Sequence, residues 1–287
     1  MMKLIFLLIV IVSATALDLP SNFKTCNKSD PKLGECLADA IRDAIVSMAK
    51  EKTRKNGSSF LDYKCMFIEN ETGSVGSAFY VVSLSWYLSR SCLGLKSFKI
   101  LPIEPLAVDS IKIGSSEGSI SLKQEYRNIK IHGLTKNLKL NNYQVDWDNL
   151  IFTSEAFNTR VDFIADYKLE GKILLLPIRG EGKCNISMHD LRTKHEAYYE
   201  KFEKDGDIYM RLTKYIIKFS PDHITLQFDN LFNGDPILGE QMHKFLNQNS
   251  DLIFKEFQAS YEETFGLVFA EITNNIFTRV PMNKIFK

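Results

Sequence analysis

Surplus charge is the first thing this sequence lacks. Its 36 Lys and Arg face 35 Asp and Glu, for a net charge of +1. That balance supplies neither the basic footprint that nucleic acid requires nor a cationic surface for membranes. Long hydrophobic runs are missing beyond the N-terminus. The nearest to one, "VGSAFYVVSLSWYLS", is broken by Ser, whereas a spanning helix needs about 20 apolar residues. There is no GxGxxG, no P-loop, no HExxH and no CxxC pair. His132, His189, His195, His223 and His243 have no metal-ligand spacing. His189 and His195 flank Asp190 in strand-like sequence and read as surface residues. The GxSxG pattern at Gly114–Gly118 is flanked by strand-like "SIKI" and "SISL". A nucleophile elbow needs a strand before it and a helix after it, so this stretch reads as a hairpin turn, with no His tied to Ser116. The expectation is a protein that is not an enzyme, with no catalytic residue, metal or cofactor, no nucleic-acid partner and no stable membrane insertion.

What is present is globular: 45% hydrophobic and 25% charged residues, with 20 Phe as the one excess. Phe adds apolar area without polar partners, which suits a large core or an apolar pocket. "MMKLIFLLIVIVSATA" has a Lys, a short apolar run and an A-x-A site, the pattern of a signal peptide over residues 1–16. Residues 17–287 are then expected as one secreted, extracellular domain. Secretion permits disulfides and N-glycans. Five Cys, an odd count, leave at least one unpaired in a monomer. Sequons stand at Asn27, Asn56, Asn70 and Asn185, of which Asn27 and Asn185 are the candidate acceptors.

Asp30 and Pro31 open an amphipathic helix carrying Leu33, Leu37, Ile41, Ala44, Ile45 and Met48 on one side. Cys26 and Cys36 bracket its start, where a bridge would pin the N-terminal strap. From Leu95 to Phe232 the period changes to two. Val161, Phe163, Ala165, Tyr167 and Leu169 share one face, as in a long antiparallel sheet with one greasy side. A single helix is expected from Pro236 to Val280, roughly 65 Å long. Leu246, Phe257 and Val268, like Phe254, Phe265 and Ile276, recur every eleven residues, which keeps a stripe on one face. The opposite face carries Lys255, Glu256, Glu262, Glu263 and Glu271, and the pair Asn274–Asn275 is expected to point outward with Glu271. The stripe is either core packing of helix on sheet or the wall of an apolar tunnel, and periodicity does not separate the two.

Several segments together carry a resemblance. They are "FKTCNKSDPKLGECLADAI", "LPIEPL", "NIKIHGL", "GKILLLPIRGEGKCNI", "LFNGDPILGEQMHKFLNQN" and "SYEETFGLVFAEITNNIFTRVP". The chain resembles the takeout and haemolymph juvenile hormone binding protein family of insects. The resemblance implies an α+β fold, a highly curved antiparallel sheet wrapped around a long C-terminal helix, enclosing an apolar tunnel. This super-roll is shared with lipid-transfer and bactericidal permeability-increasing proteins. It implies a disulfide between Cys26 and Cys36 and places Cys184 in the "GxGxC" stretch of takeout-like sequences. The implied function is a secreted carrier of a small lipophilic ligand, a terpenoid such as juvenile hormone or a fatty lipid. Phe254, Phe257, Tyr261, Phe265, Val268 and Ile272 would line the tunnel, facing Phe163, Leu174 and Leu176. Tyr261 is the candidate polar anchor. The alternative is a secreted interaction protein with a structural lipid, acting through its surface in feeding, circadian or chemosensory signalling, on a receptor the sequence does not name.

Residues 52–93 fit none of these patterns. They hold Cys65, Cys92 and the sequons Asn56 and Asn70, with no clean period, and read as an insert foreign to the domain or without fixed structure. Arg54-Lys55-Asn56 can be encoded with a GTAAG splice-donor pattern, which suggests a retained intron. A species-specific loop closed by a Cys65–Cys92 bridge is the other reading. Transcript sequencing separates them: reads that skip the segment are expected, and reads that all carry it would exclude the intron.

Overall fold

The computed structural model describes residues 16–49, 81–83, 95–114, 120–173 and 176–287. Helix α1 (Leu33–Ala49) precedes eight strands: β1 (Val81–Ser83), β2 (Leu106–Gly114), β3 (Ile120–His132), β4 (Lys139–Asp146), β5 (Ile151–Ile173), β6 (Leu176–Lys204), β7 (Asp207–Ser220) and β8 (His223–Phe228). Helices α2 (Pro236–Gln248), α3 (Ser250–Phe277) and α4 (Met282–Ile285) close the chain. The antiparallel sheet runs β1-β2-β3-β5-β6-β7, with β4 paired to β5 and β8 paired to β6. It curls into a half-barrel around α3, the curved architecture expected. Of the expected insert, only Val81–Ser83 is described. It pairs with Ser110–Lys112 of β2, and the remainder lies outside the described residues.

The curl is written in the backbone of the long strands. β5 has 23 residues and β6 has 29, far beyond the usual five or six, and such strands must bend. Face switches mark the bends on β3 and β6. On β3, Leu122, Gln124 and Tyr126 face inward, then Ile129 and Ile131 do. The switch from even to odd falls at Asn128, whose φ is 52°, beside a register shift against β5. On β6, Ile186 and Met188 face inward, then Leu191, Thr193 and His195, with the switch at Asp190, φ 45°. Asn and Asp tolerate this left-handed region better than other side chains. The period-two pattern therefore slips by one residue partway along each strand.

The C-terminal element departs from the single helix expected over Pro236–Val280. It breaks at Asn249, with φ −118° and ψ 19°. There the Asn249 amide donates to Phe245 O at 2.8 Å, a local side-chain bond that competes with helix continuation. Asp235 caps α2 by accepting from Ile237 N and Leu238 N, both at 3.0 Å, with Pro236 next in sequence.

The two helices seal the open edge of the sheet with side chains. Leu212 N–H donates to Asn274 Oδ1 at 2.8 Å, and Asn274 Nδ2 donates back to Leu212 O at 2.9 Å. Asn247 makes the same bidentate pair with Leu226 of β8, both bonds at 2.8 Å. On β7, Phe219 N–H donates to Glu262 Oε1 and Phe219 O accepts from Gln258 Nε2, each at 2.9 Å. Phe228 N–H donates to His243 Nε2 at 2.9 Å. Two outward expectations are thereby corrected. Glu262 is 5% exposed and takes Lys218 Nζ at 2.6 Å, and Asn274 is an edge clamp with Asn275 buried beside it. The helix also needs Gly266 here, because a Cβ at that position would stand 2.7 Å from Tyr215 O of β7.

Asn274→Ala is expected to orphan a backbone donor and acceptor at once. At about 1–3 kcal/mol for each unsatisfied group, the loss should reach roughly 2–6 kcal/mol in denaturant melts. Asn141→Ala, at an exposed position of β4, should stay within about 0.5 kcal/mol.

Candidate functional site: an apolar tunnel

Between the concave face of the sheet and helices α1 and α3 lies a cavity of about 420 Å³. Its walls come from nearly every element. Leu37, Ile41 and Met48 of α1 meet Phe163, Ile186 and Leu226 of the sheet across a space edged by α3. At one end an aromatic plug forms: Phe152 contacts Trp147 at 5.5 Å between ring centroids, Tyr199 at 4.8 Å and Phe286 at 5.8 Å. Phe277, which falls off the helical stripe, packs here on Tyr199 at 5.2 Å. The Cys26–Cys36 disulfide holds the N-terminal strap against this end, where Cys26 also pairs with Phe286.

The structure sorts the residues expected in the tunnel. Phe254, Phe257, Tyr261, Phe265 and Ile272 line it from α3, and Phe163 lines it from β5. Val268 does not. It is fully buried in packing beside the cavity, so the eleven-residue stripe is part core and part wall. Leu176 does not either: it shares a side of β6 with buried Ile178, but at the start of the strand it is 45% exposed. Leu174 lies outside the described residues, as do Ser116, Asn56, Asn70, Cys65 and Cys92. Gly114 ends β2 and Ile120 begins its antiparallel neighbour β3, so strand meets strand across the GxSxG segment. Asn27 is at the surface, and Asn185 is half-buried in the middle of β6.

Two polar stations interrupt the greasy wall, and sequence reasoning missed most of their members. The first joins Gln124 and Tyr126 of β3 to Tyr261 of α3. Tyr126 Oη donates to Gln124 Oε1 at 2.8 Å, Tyr261 Oη donates to the same oxygen at 3.1 Å, and the hydroxyls are 3.1 Å apart. Burial pushes both phenols up, Tyr126 well above the usual range, so both remain neutral donors. The second holds His195, expected at the surface. The parity switch at Asp190 turns it inward, while His189, before the switch, stacks on His223 at the outer face, 4.1 Å between centroids. Thr193 Oγ1 is 2.7 Å from His195 Nε2 and Tyr215 Oη is 2.9 Å from Nδ1. Burial lowers the His195 pKa to about 4. Near Tyr126 and Tyr261, burial pushes the free Cys184 thiol up to about 12, which keeps it unreactive at neutral pH.

His195 makes a pH prediction with a definite sign. Its folded pKa, about 4, lies below the unfolded value near 6.5. Between these values the unfolded chain binds the proton first, so stability falls as pH drops from 6.5 to 4. The contribution is on the order of 3 kcal/mol at about 1.4 kcal/mol per pH unit. His195→Gln should flatten the pH dependence of the melting temperature across that window; an unchanged slope would show that His195 remains hydrated.

Comparison with known proteins agrees with this architecture. Residues 87–287 match the sequence pattern described as "Haemolymph juvenile hormone binding protein (JHBP)". Circadian clock-controlled protein daywake of Drosophila melanogaster is 26% identical over 203 residues, covering 68% of this chain and 77% of that protein. Its Drosophila yakuba counterpart matches equally. The crystal structure of Epiphyas postvittana Takeout 1 superposes with a TM-score of 0.67 at 19% identity, covering 92% of this chain and 99% of that one, a likeness of fold. With its curled sheet, long C-terminal helix and matched sequence, the chain belongs to the haemolymph juvenile hormone binding protein family.

Proposed function

We propose that this protein is a secreted carrier of a small lipophilic molecule held in the tunnel. The observation that carries the reading is the continuous apolar cavity between α1, α3 and the concave sheet. Its volume of about 420 Å³ falls within the range of small-molecule sites. An unfilled cavity of this size would cost about 10 kcal/mol at ~24 cal/mol/Å³. That approaches the whole stability of a typical domain. A terpenoid or fatty chain burying about 400 Å² gains roughly 10 kcal/mol. Association costs remove an estimated 4 kcal/mol or more, leaving affinity in the micromolar range or tighter.

Phe254, Phe257, Tyr261, Phe265 and Ile272 would contact the ligand from the helix and Phe163 from the sheet. Secretion is part of the proposal and rests on the signal-peptide pattern of residues 1–16 and on the bonded Cys26 and Cys36. Asn27 and Asn185 are the proposed glycan acceptors. A clock-linked setting, which the names of the Drosophila relatives state for those proteins, is carried over here on the same footing.

Mass spectrometry of an organic extract of the purified secreted protein should show a stoichiometric lipophilic molecule. N-phenyl-1-naphthylamine should then compete for the same space. Ala44→Trp, which projects bulk from α1 into the cavity, should weaken probe uptake at least about tenfold, with little change in melting temperature. A lipid that extracts but never exchanges would assign the cavity a structural role and move function to the surface. Failure to take up any apolar probe would end the carrier reading.

A further inference from the structure

The two polar stations differ in what they leave unspent. Around His195 every polar atom has a partner, with Thr193 Oγ1 on one ring nitrogen and Tyr215 Oη on the other. Around Gln124 this is not so. Both tyrosine hydroxyls converge on Gln124 Oε1, and Gln124 Nε2 has no partner although the residue is 6% exposed. Among the described residues one other buried side-chain polar atom is unpartnered, Thr264 Oγ1, and Thr264 does not line the cavity. A buried amide donor without an acceptor is destabilising, and this one stands in the wall of the cavity.

We propose that Gln124 is the polar anchor of the tunnel and that its amide donates to a neutral acceptor oxygen on an otherwise apolar ligand. This rests on the carrier reading and goes beyond it by naming the ligand's chemical class. The required atom is an acceptor, because the unspent group is an N–H. Turning the amide over does not remove the surplus. Gln124, Tyr126 and Tyr261 hold four donor hydrogens among three mutual contacts, so at least one N–H or O–H still points away from the cluster. The oxygen should be uncharged. Among the described lining residues Lys24 is the one Lys or Arg, and it is already paired with Asp43. Among the described lining residues no unpaired Lys or Arg is left for an anion, and a carboxylate buried without one is costly. The class is therefore a ketone, ester or ether oxygen on a hydrocarbon frame, in preference to a fatty-acid anion. Tyr126 and Tyr261 act as positioning residues, holding the amide oxygen so that the nitrogen points to the guest.

The test uses the full secreted chain and displacement of N-phenyl-1-naphthylamine by 2-tridecanone, tridecane and dodecanoate. Comparing each competitor between wild type and Gln124→Leu cancels its own cost of leaving water. The expected result is that Gln124→Leu weakens 2-tridecanone about tenfold and leaves tridecane unchanged. At pH 8, dodecanoate should compete less well than 2-tridecanone with the wild-type protein. Equal weakening of ketone and alkane, or of neither, would overturn the anchor while leaving the carrier standing. Dodecanoate competing better would overturn the neutral-oxygen assignment. A wild-type protein that takes up neither the probe nor any competitor would overturn the carrier reading, and the anchor with it. A second measurement needs no variant. The carbonyl stretch of ¹³C=O-labelled 2-tridecanone bound to wild type should lie below its position in hydrocarbon, and an unshifted band would overturn the proposal.

Discussion

A sheet that curls without closing leaves an edge of unpaired backbone groups, and the rest of this structure depends on how that edge is satisfied. Another strand would extend the sheet and draw a second chain onto it. Here side chains of α2 and α3 imitate a strand. Asn247 and Asn274 each present an amide donor and acceptor to one residue of the edge, Leu226 and Leu212. Gln258 and Glu262 together do the same for Phe219. The helix is thus fixed in height and rotation along β7 and β8, with Gly266 allowing the backbones to meet. Once that register is set, which helical residues face the hollow follows from geometry.

The same constraint explains why a hollow survives at all. Side chains of a free amphipathic helix would pack down until the space was gone, since a void forfeits dispersion contacts on every wall. α3 cannot sink further, because its polar clamps bind it to the rim of the sheet. At the far end the rings of Trp147, Phe152, Tyr199 and Phe286 meet edge-on or tilted, which props the sheet and the terminal segments apart. α1 covers β4 from the other side and approaches as closely as Gly34 permits, where a Cβ would fall 2.3 Å from Tyr143 O. The tunnel is the space these three fixed contacts fail to fill.

Sequence periodicity made much of this legible, and its failures have physical causes. The alternation of Val161, Phe163, Ala165, Tyr167 and Leu169 identified one inward face correctly, because no bend interrupts that stretch of β5. His195 was misplaced because Asp190, one residue in the left-handed region, exchanges the faces of everything after it. Alternation carries no mark of such a switch except an Asp or Asn where a strand residue would be expected. The charged face of α3 was legible only in part. Lys255, Glu256 and Glu263 do face solvent, while Glu262 and Asn274 were read as solvated because polar side chains usually are. Their partners are backbone groups of a distant strand, which no local pattern announces. Leu176 and Val268 failed for a simpler reason: apolar character does not say whether a residue meets a cavity, a neighbour or solvent.

The division of labour in the tunnel wall follows from what each kind of contact can discriminate. Apolar walls distinguish ligands weakly, at about 1–3 kcal/mol for a methylene, because a flexible chain can shift along them. They set affinity and the size of the guest. A polar group fixed in that wall acts differently, since a ligand lacking the matching atom leaves it buried and unpaired. At the His195 station each polar atom already has a partner, whereas Gln124 Nε2 has none. The Gln124 station joins the sheet to the clamped helix through Tyr261, so its position is fixed by the same edge contacts that hold the hollow open. On the proposed reading, a single amide held this rigidly would select among lipids that the surrounding Phe and Ile side chains would accept alike.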